Sequence, residues 1–237
     1  ISRGLVGSEM CIRDRCKAAG AELRLNTKVL SIEASGDGYL IDLGEAQIQC
    51  RSVVIATGGL SIPKIGATRF GYDIARQFGL KVTSVKPALV PLTFQAAFLE
   101  RCRELSGLSV DAEVSYRKTT FREGLLFTHR GLSGPSILQI SSYWDEGETL
   151  KINLLPDMDA CGWLRARKTE TPRQEVLTVL SENLPRRLAA DILEEMGVSG
   201  RLADLPNKML SRLGERLNRW QVSPSGTEGY RLSLIHI

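Results

Sequence analysis

Histidine is nearly absent from this chain: His129 and His236 are the two in 237 residues. Its five cysteines, Cys11, Cys16, Cys50, Cys102 and Cys161, make no C-x-x-C pair. So few and so scattered soft ligands argue against a zinc site, and the expected metal content is none. They outline no disulfide framework either, which fits a reducing cytoplasm and an expected cytoplasmic location. No apolar run approaches the ~18 residues that a membrane span requires. Neither charge sign dominates, with 31 Lys and Arg against 27 Asp and Glu and a formal net charge of +4. That balance is weak ground for a nucleic-acid partner, and none is expected.

The two ends stand apart. Residues 5–15 read LVGSEMCIRDR and residues 232–237 read LSLIHI. Both match in-frame translations of the mosaic-end adapter used in transposase library preparation, one in each orientation. Residues 1–15 and 232–237 are therefore expected to be adapter-derived, non-native and without a part in the fold. The biological segment would be residues 16–231, an interior piece of a longer gene. Its native N-terminus would be missing, so a signal peptide is not readable.

Between these ends the pattern changes twice. Residues 16–20 read as a helix end stopped by Gly20. A strand signal covers 22–32, and 39–43 with 46–50 reads as a hairpin around Gly44. SVVIA at 52–56 is a continuous β-branched run of the kind buried on both faces of a parallel sheet. A helix is expected over 72–78 and a short strand over 81–85. From Pro87 to Pro156 the chain shows short alternating strands, clearest at 110–116, 124–128 and 150–155, as in a small antiparallel barrel or sandwich. From about Asp157, residues 174–180, 186–196 and 207–220 read as helices.

Two stretches carry candidate chemistry. In SVVIATGG, a strand leaves through Thr57, Gly58 and Gly59, and such glycines let backbone N–H groups approach a phosphate or ring. A tight turn without a ligand is the plainer alternative. In FTHRGLSGP (127–135), a lone histidine sits among hydroxyls and glycines at a strand end. There His129 could move a proton, or could cap a structural turn. Ser133 is not a nucleophile of the elbow type, because G-L-S-G-P is not G-x-S-x-G. Arg165, Arg167 and Lys168 form a short basic cluster that reads first as a solvated face. Trp163 and Trp220 read as packing residues.

A β-meander followed by VVIATGG, then PALVPL, EGLLFTHRGLSGPSIL, INLLPD and LPRRLAADIL in that order, resembles the BaiN/YhiN-like family of FAD-dependent oxidoreductases. This resemblance covers nearly all of 16–231. It implies an α/β fold in which an incomplete Rossmann-like FAD-binding domain (16–85) carries a β-barrel-like insertion (86–156) and a helical insertion (157–222). Residues 223–231 would return toward the FAD domain. The implied cofactor is FAD, with NAD(P)H as a candidate reductant. Val29, Thr57, Gly58, Gly59 and Ser61 are the implied cofactor contacts. From its own turn, His129 is the catalytic candidate, with Ser133 and Gly134 expected near substrate or flavin. The family's G-x-G-x-x-G pyrophosphate loop is absent from these 237 residues, and Ile62 and Ile65 replace its more usual tyrosine and threonine. The expected activity is an oxidoreductase fragment acting on a small organic substrate. The alternatives are a flavoprotein of tRNA modification, or a binding module without catalysis.

Overall fold

The computed structural model describes residues 3–233 and 235–236. Burial is described from residue 11 onward, except at 65, 96, 97, 235 and 236. Contacts divide the chain into two units, Ile1–Ala56 and Thr57–Ile237, and the division falls inside the expected FAD-domain segment.

The first unit holds helix α1 (Arg3–Ala18) and a three-stranded antiparallel meander of β1 (Ser31–Ser35), β2 (Gly38–Asp42) and β3 (Gln47–Cys50). Tyr39 faces Cys50 and Asp42 faces Gln47, so the β2–β3 hairpin forms around Gly44 as the turn residues require. The strand expected over 22–32 forms only from Ser31. SVVIA forms no strand, and Val54 is 87% exposed. The local preference of β-branched residues is not enough. A doubly buried strand exists only when neighbours supply its hydrogen bonds and cover both faces, and no such neighbours occur among the described residues.

The second unit begins with a 3-10 turn at Pro63–Ile65 and helix α2 (Phe70–Gln77). Residues 81–85 form no strand. There follow β4 (Pro87–Ala88), β5 (Leu92–Thr93), α3 (Ala96–Glu104), β6 (Ser109–Tyr116), β7 (Thr119–Thr128), β8 (Gly131–Ser133), α4 (Pro135–Ser141) and β9 (Leu150–Asn153). Helices α5 (Ala160–Glu170), α6 (Val176–Leu180), α7 (Arg186–Met196) and α8 (Asn207–Asn218) come next, then strands β10 (Trp220–Val222), β11 (Gly226–Thr227) and β12 (Ile235–His236). Among the described residues no helix is long and apolar enough to cross a membrane.

One seven-stranded sheet runs β10-β9-β6-β7-β8-β5-β11, antiparallel throughout. Its two edge strands are separated in sequence only by residues 223–225. Four extended steps reach about 14 Å, whereas six strand spacings across a flat sheet cover about 29 Å. The sheet must therefore curl until its edges approach, and the result is barrel-like. Strand alternation places Val110, Ala112, Val114 and Tyr116 inside. Phe127 stacks on Trp220, and Phe98 lies between Phe94 and Trp220.

The helices lie between two neighbouring strands, β9 and β10. Asp159 caps α5 by accepting from the backbone N–H of Cys161 and Gly162. Asn218, at the far end of α8, ties exit to entry. Its amide donates to Asn153 Oδ1 and to the carbonyls of Leu155 and Met158, and its Oδ1 accepts from Ala160 N. Gly214 lets α8 approach α5 closely, since a Cβ there would lie 2.6 Å from Cys161 N. Leu164, Leu188, Ile192, Leu210 and Leu217 join the sheet's inner face in one continuous core.

Candidate functional site

The segment GTEGYR (226–231) gathers the distant parts of the second unit. Gly226 and Thr227 pair with β5. Glu228 N donates to Pro91 O at 3.0 Å, and Ile62 N donates to Tyr230 O at 2.9 Å. The loop after Thr57-Gly58-Gly59 and the Pro87–Pro91 stretch are thereby fastened to one short piece of chain.

The backbone at this junction is strained. Ile62 adopts φ 56 and ψ 66, and Leu89 adopts φ 50. A left-handed conformation costs a bulky residue about 1–3 kcal/mol and persists only where the surroundings enforce it. The Tyr230 carbonyl does so for Ile62. The hydroxyls of Ser142 and Ser141 accept from the backbone N–H of Leu89 and Val90. Ser233 closes the other side of this stretch. Its buried hydroxyl accepts from Ala88 N at 3.1 Å and donates to Ala88 O at 2.7 Å. The expectation that residues 232–237 take no part in the fold fails at Ser233, because a hydroxyl satisfying both polar groups of a buried residue is structural.

The turn from β7 to β8 joins the same site. Thr128 Oγ1 donates to Gly131 O and accepts from Arg130 N, leaving His129 exposed at the tip. Arg130 Nε lies 2.6 Å from Glu228 Oε1, and Arg231 Nη2 lies 3.0 Å from Glu228 Oε2. The Glu228 side chain is only 3% exposed. The Arg130 contact is an ion pair by distance but not a hydrogen bond by angle, so Oε1 keeps unmet acceptor capacity. Ser61 Oγ and the Tyr230 hydroxyl are likewise sealed from solvent without a hydrogen-bond partner. Burial raises the Tyr230 hydroxyl above the usual tyrosine range, helped by nearby Tyr72.

The expected site residues fall as follows. Gly58 (φ 68) and exposed Thr57 leave backbone in the open, and Gly59 is buried. Ser61 is half-buried with its orphaned hydroxyl. Half-buried Val29 belongs to the first unit, in a segment without regular structure. Ser133 pairs with Leu126 in the sheet. Gly134 is held at φ 90 and ψ 162, where a Cβ would meet Gly124 O at 2.5 Å. Glu228, Tyr230 and Arg130 were not among the expected site residues. Arg130 lies within the FTHRGLSGP stretch, and Glu228 and Tyr230 flank Gly229; the three gain meaning only from pairings across roughly a hundred residues or more.

Three buried polar atoms with unmet hydrogen bonds, beside a loop of exposed backbone, fit one portion of a flavin nucleotide. The chain offers no G-x-G-x-x-G for the pyrophosphate, so the fit extends to part of the cofactor.

Comparison with known proteins sharpens this picture. The chain is 43% identical over 224 residues, 92% of its length, to a ribosomal RNA dihydrouridine synthase of Escherichia coli. It is 35% identical over 228 residues, 93% of its length, to a ribosomal RNA dihydrouridine synthase of Haemophilus influenzae. It spans 55% and 56% of the length of those two relatives. A 3-dehydro-bile acid delta(4,6)-reductase of Clostridium scindens is 27% identical over 184 residues, 70% of this chain and 44% of that protein. These relatives are enzymes, and the two nearer ones carry names for work on RNA. They correct two expectations, a small organic substrate and the absence of a nucleic-acid partner. The alternative of RNA modification is the better backed, with ribosomal rather than transfer RNA in the relatives' names. Residues 86–235 match the pattern described as the HI0933-like protein barrel and H2TH domain. A curled antiparallel sheet bracketing a set of helices is what such a description requires, and the chain belongs to the HI0933-like family.

Proposed function

We propose that this chain is part of a flavoprotein that reduces uridine to dihydrouridine in ribosomal RNA. The observation that carries the reading is identity of 43% and 35%, sustained over more than nine-tenths of the chain, to two proteins of that name. Residues 16–85 then contribute to an FAD-binding domain, 86–156 form its barrel-like insertion and 157–222 its helical insertion. Such a substrate goes with a cytoplasmic protein.

The cofactor in this reading is FAD, which when reduced supplies hydride to one carbon of the uracil C5–C6 double bond. The chain's own residues do the rest. Backbone at Thr57, Gly58 and Gly59 would hydrogen-bond the cofactor. The orphaned Ser61 and Tyr230 hydroxyls and Glu228 Oε1 provide the buried hydrogen bonds that orient flavin and base. The Arg130–Glu228 pair fixes the turn that presents His129. His129 delivers the proton that completes the second carbon, as a positioned imidazole can. Ser133 and Gly134 shape the wall behind it.

The test uses the whole protein that carries this chain. Unmodified ribosomal RNA transcript is incubated with the protein, FAD and NAD(P)H, and digested nucleosides are weighed by mass spectrometry. Dihydrouridine should accumulate, and His129→Ala should slow it by ~10²-fold with flavin still bound. A flavin-loaded protein that leaves every uridine intact would overturn the proposal.

A further inference from the structure

The helical region carries two kinds of arginine. Arg167 pairs with Glu182, Arg216 with Glu195, and Arg101 of α3 with Asp191 and Glu195. The cations on the outer side of α5 and α8 are different. Among the described residues, Arg165, Lys168, Lys208, Arg212 and Arg219 make no ion pair within 4 Å.

These five form one surface. Arg165 Nη2 donates to Ser211 Oγ at 2.7 Å, next in sequence to Arg212. Lys168 Nζ donates to Leu205 O at 2.6 Å and Asn207 Oδ1 at 3.3 Å, beside Lys208. Lys208 and Arg212 are four residues apart on α8 and share its exposed face. Arg219 follows just past the helix, two turns beyond Arg212. Arg165 and Arg219 both act electrostatically on Cys161 at the helix crossing, together with Asp159 and Glu215. Asp159 is occupied as the α5 cap, and exposed Glu215 and Asp204 are the carboxylates beside the stripe.

We propose that this α5–α8 face holds the phosphate backbone of folded RNA, an inference that rests on the ribosomal RNA reading above. Lys208 to Arg219 spans about 16 Å of helix, along which a duplex strand presents roughly five phosphates. Cations outside any ion pair are what phosphate contact uses, because no internal salt bridge has to be broken first. The exposed positions of α5 and α8 beside these cations carry no aromatic ring. Base stacking, the mark of single-strand binders, is therefore not offered, and backbone contact with a duplex stem is.

The probe is a fluorescein-labelled RNA hairpin with a long duplex stem, titrated with the whole chain and read by anisotropy from 50 to 300 mM KCl. Lys208→Ala with Arg212→Ala should weaken binding by ~10-fold or more and flatten the log–log salt slope by about 2. Arg165→Gln with Lys168→Gln is the second variant, should the first melt early. Arg51→Ala with Lys118→Ala, at exposed cations elsewhere, should leave binding unchanged. Wild-type affinity in both face variants with native melting curves would overturn the proposal, as would a wild-type chain that does not bind the hairpin. Dihydrouridine formation is a separate readout. If it persists while face variants keep full affinity, the face is wrong and the RNA reading stands. If it never occurs yet the face variants lose binding, the face stands and the catalytic reading falls.

Discussion

Replacing Arg101 with methionine tests the densest charge network of the fold. The Arg101 guanidinium makes three hydrogen bonds to Asp191 and a 2.6 Å ion pair to Glu195, joining α3 to α7. Its side chain is 20% exposed and that of Asp191 13%. Burial disfavours the Arg101 charge, but the carboxylates outweigh it and hold its pKa above the ordinary arginine value. Removing one partner of a fully buried pair costs about 3–5 kcal/mol, because the other charge is stranded. Residual solvent access reduces this to about 2–3 kcal/mol. For a unit of this size that lowers the melting point by about 4–12 °C. Arg101→Met with Asp191→Leu should recover most of the loss, since no stranded charge remains beyond Glu195, which keeps Arg216. Urea melts of the two single variants and the double complete the cycle. A loss below about 0.5 kcal/mol, or a double variant as unstable as the sum of the singles, would refute the reasoning. Acid sensitivity gives an independent check. Burial works against ionising Glu195, but the Arg101 hydrogen bond and the Arg216 charge prevail and its carboxyl sits below the usual range. A depressed carboxyl stabilises the fold above its unfolded pKa, and that contribution is lost as pH falls through the folded one. Arg101→Met should accordingly flatten the acid limb of the stability profile.

Other outcomes follow from single positions. Burial pushes the Cys102 thiol up to about 12, so Ellman's reagent should label exposed Cys11 and Cys16 quickly and Cys102 only on unfolding; fast labelling of Cys102 in the native chain would disprove its burial. Gly134→Ala should cost about 3 kcal/mol or more in a denaturant melt, because its φ and ψ lie in a region essentially confined to glycine and its Cβ would strike the Gly124 carbonyl; a neutral substitution would contradict that packing. Ending the chain after Arg231 removes Ser233 from both backbone groups of Ala88 and should cost about 1–3 kcal/mol; an unchanged melting curve would mean that these contacts carry no stability.

Local periodicity made much of the second unit legible. Alternation over 110–116 appears as β6, and the helical period over 186–196 and 207–220 appears as α7 and α8, because each element's buried side is written into its own residues. SVVIA misled for the opposite reason. Its composition describes a surrounding that the chain must supply from elsewhere, and Val54 stands in solvent. Of the candidate site, Thr57 to Gly59 and the His129 turn are visible in the sequence as glycine-rich segments, although the strand expected before Thr57 does not form. Glu228 and Tyr230 are not visible in this way, since their importance comes from meeting Arg130 and Ile62 through pairings that no local window contains. The basic cluster was visible as Arg165, Arg167 and Lys168, but only the fold separates Arg167, which is paired inward, from the two that remain available.

The placement of the helices between β9 and β10 has a consequence for how the chain behaves as a material. Neighbouring strands lie about 4.8 Å apart, so the entire helical segment leaves and re-enters the sheet through one narrow doorway, latched by Asn218. Connectivity would let a genetic deletion replace these helices with a tight turn, the sheet order untouched. Packing forbids it, because the leucines of α5, α7 and α8 share one apolar interior with the strands. An insertion by topology is thus an organ by thermodynamics. Sheet and helices of the second unit should melt in a single transition, and a lineage that lost the helices would have to rebuild the inner face of every strand they cover.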